Sequence, residues 1–271
     1  MATNPIPLAR SEYPEWYARK FRVWIDDERP RYLFNQHWRD QQLLDSAFWR
    51  DVWVRLRTAH DTRLRQPGFR MLVTPYDRPL SLHHKEFGRF VDKTWRKNVL
   101  MNPRFLDNEP PSGGEWVTHK NWDAQIIDIL RTTILVRYLD GIDEVPKLVA
   151  AAASEFGVRY DPPEFQAHRG HCAAHLVVYP VARYRPYGGP DVEAELPVEI
   201  QVSTQLQEVV CELTHPIYEQ KRALHPSDDE LAWSEDPHFV SDHLPFALHL
   251  VDGVILKERR ESKDRVKGIE R

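Results

Sequence analysis

Asp128-Ile-Leu-Arg-Thr-Thr-Ile-Leu-Val-Arg-Tyr-Leu139 is the stretch on which the reading of this chain turns. It is apolar and rich in β-branched residues, which suits a central strand. The first third of the chain reads as helical. Phe48, Val52 and Leu56 fall on one stripe at helical spacing. Residues 81–97 read as a second helix, ended by Pro103, and the Pro- and Gly-rich 107–121 reads as a loop. After the strand, helical spacing returns over 142–156 through Ile142, Val145, Leu148, Val149, Ala152 and Phe156. Two strand-like runs follow, 173–182 and 196–203, joined by a Pro- and Gly-rich stretch, 183–195, that reads as a flexible connection. A helix is predicted from about 205, kinked or ended by Pro216. Residues 226–237 read as an acidic loop, 244–260 as an amphipathic closing helix, and the basic tail beyond as frayed. This order predicts an α+β fold, a mixed β-sheet flanked by helices with a helical N-terminal part. It divides the chain into a helical region 1–80, a core 81–225 and a C-terminal loop and helix 226–271.

Composition narrows the function classes. The chain has 271 residues, enough for one large domain or one domain with a helical addition, and its nine Trp help build a core. A formal net charge of −4 excludes a basic coat over the whole surface. No apolar run is long enough to span a bilayer, and the opening MATNPIPLARSEYPEW lacks the apolar centre of a secretory signal. Cys172 and Cys211 match no metal or disulfide framework, so a reduced cytoplasm is expected.

Several groups could carry chemistry. Lys85, Arg89, Lys93 and Arg96 share one face if their segment is helical. Four like charges there repel unless an anion such as a triphosphate neutralises them; a solvated helix face is the alternative. Asp128 opens an apolar strand, where a carboxylate can hold Mg²⁺ while substrate phosphates complete its shell, or can simply cap a turn. Arg131 sits deep in the same run and needs a partner. In Val198–Thr204, strand alternation places Glu199, Gln201 and Ser203 on one face, a general base or metal ligand in a cleft, or the wet face of an edge strand. His168, His171, Cys172 and His175 match no common zinc spacing, which leaves a loop with solvent-facing histidines. Glu212, His215, Tyr218 and Lys221 keep loosely to one face of the helix after residue 205, opposite Leu206, Val209, Val210, Leu213 and Ile217.

The order of these groups resembles the synthetase domain of the RelA/SpoT nucleotide pyrophosphokinases over roughly residues 80–222. The family's basic motif is matched by His83-x-Lys85-x3-Arg89-x3-Lys93-x2-Arg96, and its metal-aspartate strand by Asp128-Ile-Leu-Arg-Thr-Thr-Ile. Tyr138–Val145 then leads into a helix, as in the small members. Gly170-His171-x3-His175, the Glu199-Ile-Gln-Val-Ser-Thr204 strand and Glu212-x2-His215-x2-Tyr218 follow in the family's order. The resemblance implies a RelA/SpoT synthetase-like nucleotidyltransferase fold and a transferase that moves the β,γ-diphosphate of ATP to the 3′-hydroxyl of GDP or GTP, with Mg²⁺ as cofactor. It implies that Lys85, Arg89, Lys93, Arg96 and Arg131 meet the ATP phosphates and His83 the adenine. Asp128 and Glu199 hold metal, Glu199 alternatively acting as base. His171, His175, Gln201, His215 and Tyr218 receive the acceptor.

The chain departs from the family at His83 in place of Arg, Arg89 in place of Ser and His171 in place of Tyr. These changes keep two other readings open. One is a toxin-like relative that modifies an adenine nucleotide or the tRNA 3′ end, with basic groups such as Arg63, Arg65, Arg70 or the 257–267 tail meeting the tRNA and an antitoxin docking on the N-terminal helices. The other is a catalytically inactive nucleotide sensor.

Overall fold

A computed structural model of the chain describes residues 7–64, 71–73, 80–111, 114–168, 171–224 and 239–269. The run that opened the reading is a strand, β2 (Leu130–Val136), and it alternates between fully and partly buried side chains as a strand with one more crowded face must. It joins β1 (His83–His84), β3 (Arg159–His168), β4 (His171–Tyr179) and β7 (Val198–Thr204) in a five-stranded sheet of order β1-β2-β7-β4-β3. A separate antiparallel pair, β5 (Val181–Tyr184) and β6 (Val192–Glu195), sets Val181 opposite Glu195. Helices α1 (Tyr13–Phe21), α2 (Arg29–Asp45) and α3 (Ala47–Leu64) precede the sheet, and α4 (Phe87–Trp95) and the short α5 (Trp122–Gln125) lie between β1 and β2. Helix α6 (Leu139–Glu155) follows β2, and α7 (Gln205–Leu224) and α8 (Phe239–Ile269) follow β7. The fold is α+β, a mixed sheet flanked by helices.

The chain forms two compact units. The first comprises residues 1–45, 82–131 and 179–198. Its core is aromatic: Tyr32 packs on Phe90 with ring centroids 4.3 Å apart, and Phe90 meets Trp122 edge-on at 4.9 Å. The second unit comprises residues 46–81, 132–178 and 199–271. The predicted stripe of Phe48, Val52 and Leu56 is buried there, and α3 packs against α6, whose Val145, Val149 and Ala152 are fully buried. Gly141 lets the first turn of α6 approach β2, since a Cβ at that position would stand 2.6 Å from Val136 Cβ.

Several expected boundaries are corrected. The helix expected over 81–97 begins only at Phe87, because the Lys85 amide donates to the Ile129 carbonyl at 2.9 Å and pairing with β2 claims the preceding residues. Lys85 therefore stands outside α4, and the four-residue basic face is not one helical face. Asp128 lies in the turn before β2 and not in the strand. The stretch expected to be a flexible connection holds the β5–β6 ribbon, fastened by Arg183–Glu193 at 3.2 Å and Arg185–Asp191 at 2.9 Å. Strand β3 escaped the reading because Pro162 and Pro163 lie within it, and its position at the end of the sheet order is where proline costs least. Helix α7 continues past position 216 to Leu224 while packing on α8, and α8 begins earlier and runs further than 244–260, to Ile269. The expected loop at 226–237 lies outside the described residues.

Candidate functional site

In the first unit, the antiparallel register sets His83 opposite Arg131 and His84 opposite Leu130. One residue further on, Lys85 reaches the turn that carries Asp128. The Lys85 carbonyl accepts from Tyr32 Oη at 2.7 Å and Gln36 Nε2 at 3.2 Å, so α2 holds the backbone from which the lysine extends. Lys85 Nζ stands 2.8 Å from Asp128 Oδ2, and Lys93 Nζ, from α4, stands 3.2 Å from the same oxygen. Oδ1 is buried and has no hydrogen-bond partner among the described residues. Burial pushes the Asp128 carboxyl up, but the charges of Lys93 and Lys85 and their hydrogen bonds outweigh it and hold the pKa at about 2. Lys85 is displaced the other way: burial lowers its pKa, Asp128 opposes that, and Lys93 and Arg131 add to it.

Lys97 also belongs to this neighbourhood. Its amine donates to the Gln125 carbonyl at 3.3 Å, and burial and the charge of Lys93 lower its pKa while Asp128 raises it. Sequence reading passed over it, although its place four residues beyond Lys93 was a visible signal. Arg96 is turned to Asp92 at 3.3 Å, and Asp92 also takes Arg10 at 3.2 Å. Arg89 and His83 are exposed. The predicted phosphate set is thus brought together at Lys85, Lys93 and Arg131, and Arg96 is engaged elsewhere.

The second unit holds another cluster. Strand β7 lies inside the sheet, between β2 and β4, and not at an edge. Glu199 on it is buried, with its Oε1 2.9 Å from His175 Nδ1 and its Oε2 accepting from Gln201 Nε2 at 2.8 Å. Alternation along β7 accounts for the Glu199–Gln201 pair. On the same face, Ser203 Oγ donates to the Cys172 carbonyl at 3.3 Å. His175 is therefore engaged with a carboxylate and is not a solvent-facing loop residue. Glu212 is exposed on α7. The side chains of His171, His215 and Tyr218 lie outside the described residues, as do those of Arg63, Arg65 and Arg70. Among the described residues, no group of three or more His, Cys, Asp or Glu could hold a metal ion by itself, and no helix is long and apolar enough to cross a membrane.

Fold and clusters together describe an α+β protein that gathers lysines and an arginine round one buried carboxylate. No family model and no curated protein matches the chain. Solved structures do. It is similar to the small alarmone synthetase 1 of Bacillus subtilis bound to its product pppGpp, with 14% identity, 79% of this chain and 92% of that chain covered and a TM-score of 0.47. It is similar to the small alarmone synthetase 2 of the same organism, with 16% identity, 78% and 95% covered and a TM-score of 0.45. A Streptococcus mutans protein is similar at 14% identity, with 83% and 96% covered and a TM-score of 0.46.

Proposed function

We propose that this protein is a Mg²⁺-dependent pyrophosphokinase that moves the β,γ-diphosphate of ATP to the ribose 3′-hydroxyl of GDP or GTP. The observation that carries the reading is Asp128. One of its oxygens is held by two lysines, and the other is buried with no hydrogen-bond partner among the described residues. Lys85, Lys93 and Arg131 bring three positive charges against this one carboxylate, an imbalance that a polyphosphate would neutralise.

Magnesium fits this cluster. It takes hard oxygen ligands, keeps several waters and needs only one or two carboxylates beside substrate phosphates. Asp128 would hold it through Oδ1, and the bound ion would supply charge neutralisation at the phosphate oxygens. Lys85 and Lys93 would then turn from Asp128 to the phosphates. In the transfer, the acceptor oxygen bonds to the β-phosphorus, the bond from that phosphorus to the α,β-bridging oxygen breaks, and AMP leaves. The hydroxyl proton needs a base, and Glu199 with His175 beside it has the chemistry for that. Gln201 and His175 hold the carboxylate oriented, so they act as positioning residues. The assignment of donor phosphates to the first cluster and acceptor to the second rests on the order of the matched motifs.

The test uses ATP labelled on its β- and γ-phosphates, Mg²⁺, and the wild type beside Glu199→Ala, with GDP, GTP, ADP and deacylated tRNA offered separately. Label on a guanine nucleotide, lost in the variant, is expected. Label on ADP or tRNA instead would replace the acceptor and favour the toxin-like reading, for which the imidazole at His171 in place of a larger ring is the motive. No label on any acceptor from folded, ATP-binding protein would overturn the reading in favour of a sensor.

A further inference from the structure

We infer that Lys97, a residue outside the matched motif, is a further phosphate-binding group of the first cluster and contacts the donor polyphosphate directly. The inference rests on the proposed function and extends it.

Helix α4 does not end as an ordinary helix. After Trp95 it widens into a π-helical turn, Arg96–Leu100, closed by the Met101 amide on the Arg96 carbonyl at 2.8 Å. Such widened turns disturb the i→i+4 ladder and persist where something offsets their poorer geometry, often at functional positions. On one side this turn is held by packing. Val99 is fully buried, and the Asn98 amide donates to Tyr13 Oη at 2.9 Å and to the Val117 carbonyl at 2.8 Å. Its other residue of interest is Lys97, half-buried and tied to the Gln125 carbonyl at 3.3 Å. Gln125 closes α5, and only Ile126 and Ile127 separate it from Asp128. The contact therefore anchors Lys97 to the segment that leads into the carboxylate.

An ammonium has three donors, and this bond uses one. Among the described residues no carboxylate forms an ion pair with Lys97, whereas Lys85 and Lys93 share Asp128. Taking a lysine partly out of water beside like charges is unfavourable unless an anion offsets it, and the nearby positive charges here already outnumber the carboxylate. Its lowered proton affinity agrees with that placement. A chain of phosphates carries more charge than a monophosphate and spreads it over a longer span, so it is the anion that suits Lys85, Lys93 and Lys97 together.

The experiment titrates full-length protein with a non-hydrolysable ATP analogue, inorganic tripolyphosphate and AMP, for the wild type, Lys97→Met, Lys97→Arg and Lys93→Met. Lys97→Met is expected to weaken the analogue and tripolyphosphate about 10-fold, the scale of one charge-assisted contact, and to leave AMP within about 2-fold. Lys97→Arg is expected to restore most of the loss, which a purely structural role would not require. If Lys93→Met weakens tripolyphosphate and Lys97→Met does not, the Lys97 assignment is overturned and the proposed function stands. If the wild type itself binds no polyphosphate, both fall. Should Lys97→Met fail to fold, amine acetylation of the wild type, read by peptide mass, decides the matter: tripolyphosphate must protect Lys97, and equal labelling with and without it overturns the inference.

Discussion

Lys85 Nζ and Asp128 Oδ2 are 2.8 Å apart, and the pair is formed at one end of the antiparallel β1–β2 ladder by a residue just past the end of β1 and one just before the start of β2. Neither residue belongs to a strand. The antiparallel register and the Lys85 amide bond to Ile129 bring them together. A shift of one residue in that register would turn the lysine from the carboxylate to the other face.

The pair makes stability depend on pH with a definite sign. Asp128 ionises at about 2 in the folded chain against an ordinary 3.8, so the unfolded chain binds the proton more readily. Its contribution, about 2 kcal/mol by the size of that shift, is present above pH 4 and is lost as pH falls through 2. Urea unfolding between pH 5 and pH 2 checks this. The wild type is expected to lose its advantage over Asp128→Asn across that window, and a constant gap down to pH 2 would remove the coupling. At neutral pH the same variant is expected to lose at least about 100-fold in transfer.

The second cluster predicts a different pattern. Glu199→Gln preserves shape but cannot take a proton, so turnover is expected to fall by about 100-fold or more with the ATP analogue still bound. His175→Asn removes the imidazole at 2.9 Å from Glu199 and is expected to shift the pH profile of turnover as well as its height. Steady-state kinetics over pH distinguish this from a packing defect, which would lower turnover without moving the profile. Turnover in Glu199→Gln within about 3-fold of wild type would take this carboxylate out of the chemistry.

The sequence made parts of this legible for physical reasons. Burial of Phe48, Val52 and Leu56 follows from helical spacing, and the Glu199–Gln201 contact follows from strand alternation. Both are local periodicities. The Lys85–Asp128 contact depends on pairing between residues far apart in sequence, and the spacing of Lys85, Arg89, Lys93 and Arg96 imitates a helix that pairing with β2 interrupts. Tyr32 and Gln36, which hold the Lys85 carbonyl, carry no sequence signal beyond lying four apart. Strand β3 was hidden by Pro162 and Pro163, residues that argue against a strand unless its edge position is known.

Gly141 offers a test of the scaffold alone. In Gly141→Ala the new Cβ would meet Val136 Cβ at 2.6 Å, and Val136 is fully buried and cannot swing aside. Overpacking is expected to cost about 1–3 kcal/mol. Gly253→Ala is the matched control. It is helical and has nothing within 4 Å, so removing backbone freedom is expected to gain about 0.5–1 kcal/mol. Chemical denaturation of the two variants should move the midpoint in opposite directions, and a neutral Gly141→Ala would mean that α6 can shift away from β2.

Asp252 supplies the opposite pH dependence to Asp128. It is buried on α8 and pairs with Thr204 Oγ1 at 2.6 Å. Burial raises its pKa, while the Thr204 hydrogen bond and the charge of His249 lower it only in part. The folded chain therefore holds this proton more tightly than the unfolded chain, so stability falls as pH rises through the folded pKa. Asparagine cannot ionise and keeps an oxygen for the threonine hydroxyl, so Asp252→Asn is expected to be more stable than the wild type at pH 7 and similar to it at pH 4. Urea unfolding at the two values checks this. A variant less stable at pH 7 would mean that the ionised carboxylate is itself the favoured partner of Thr204, and that α8 is held at the end of β7 by charge.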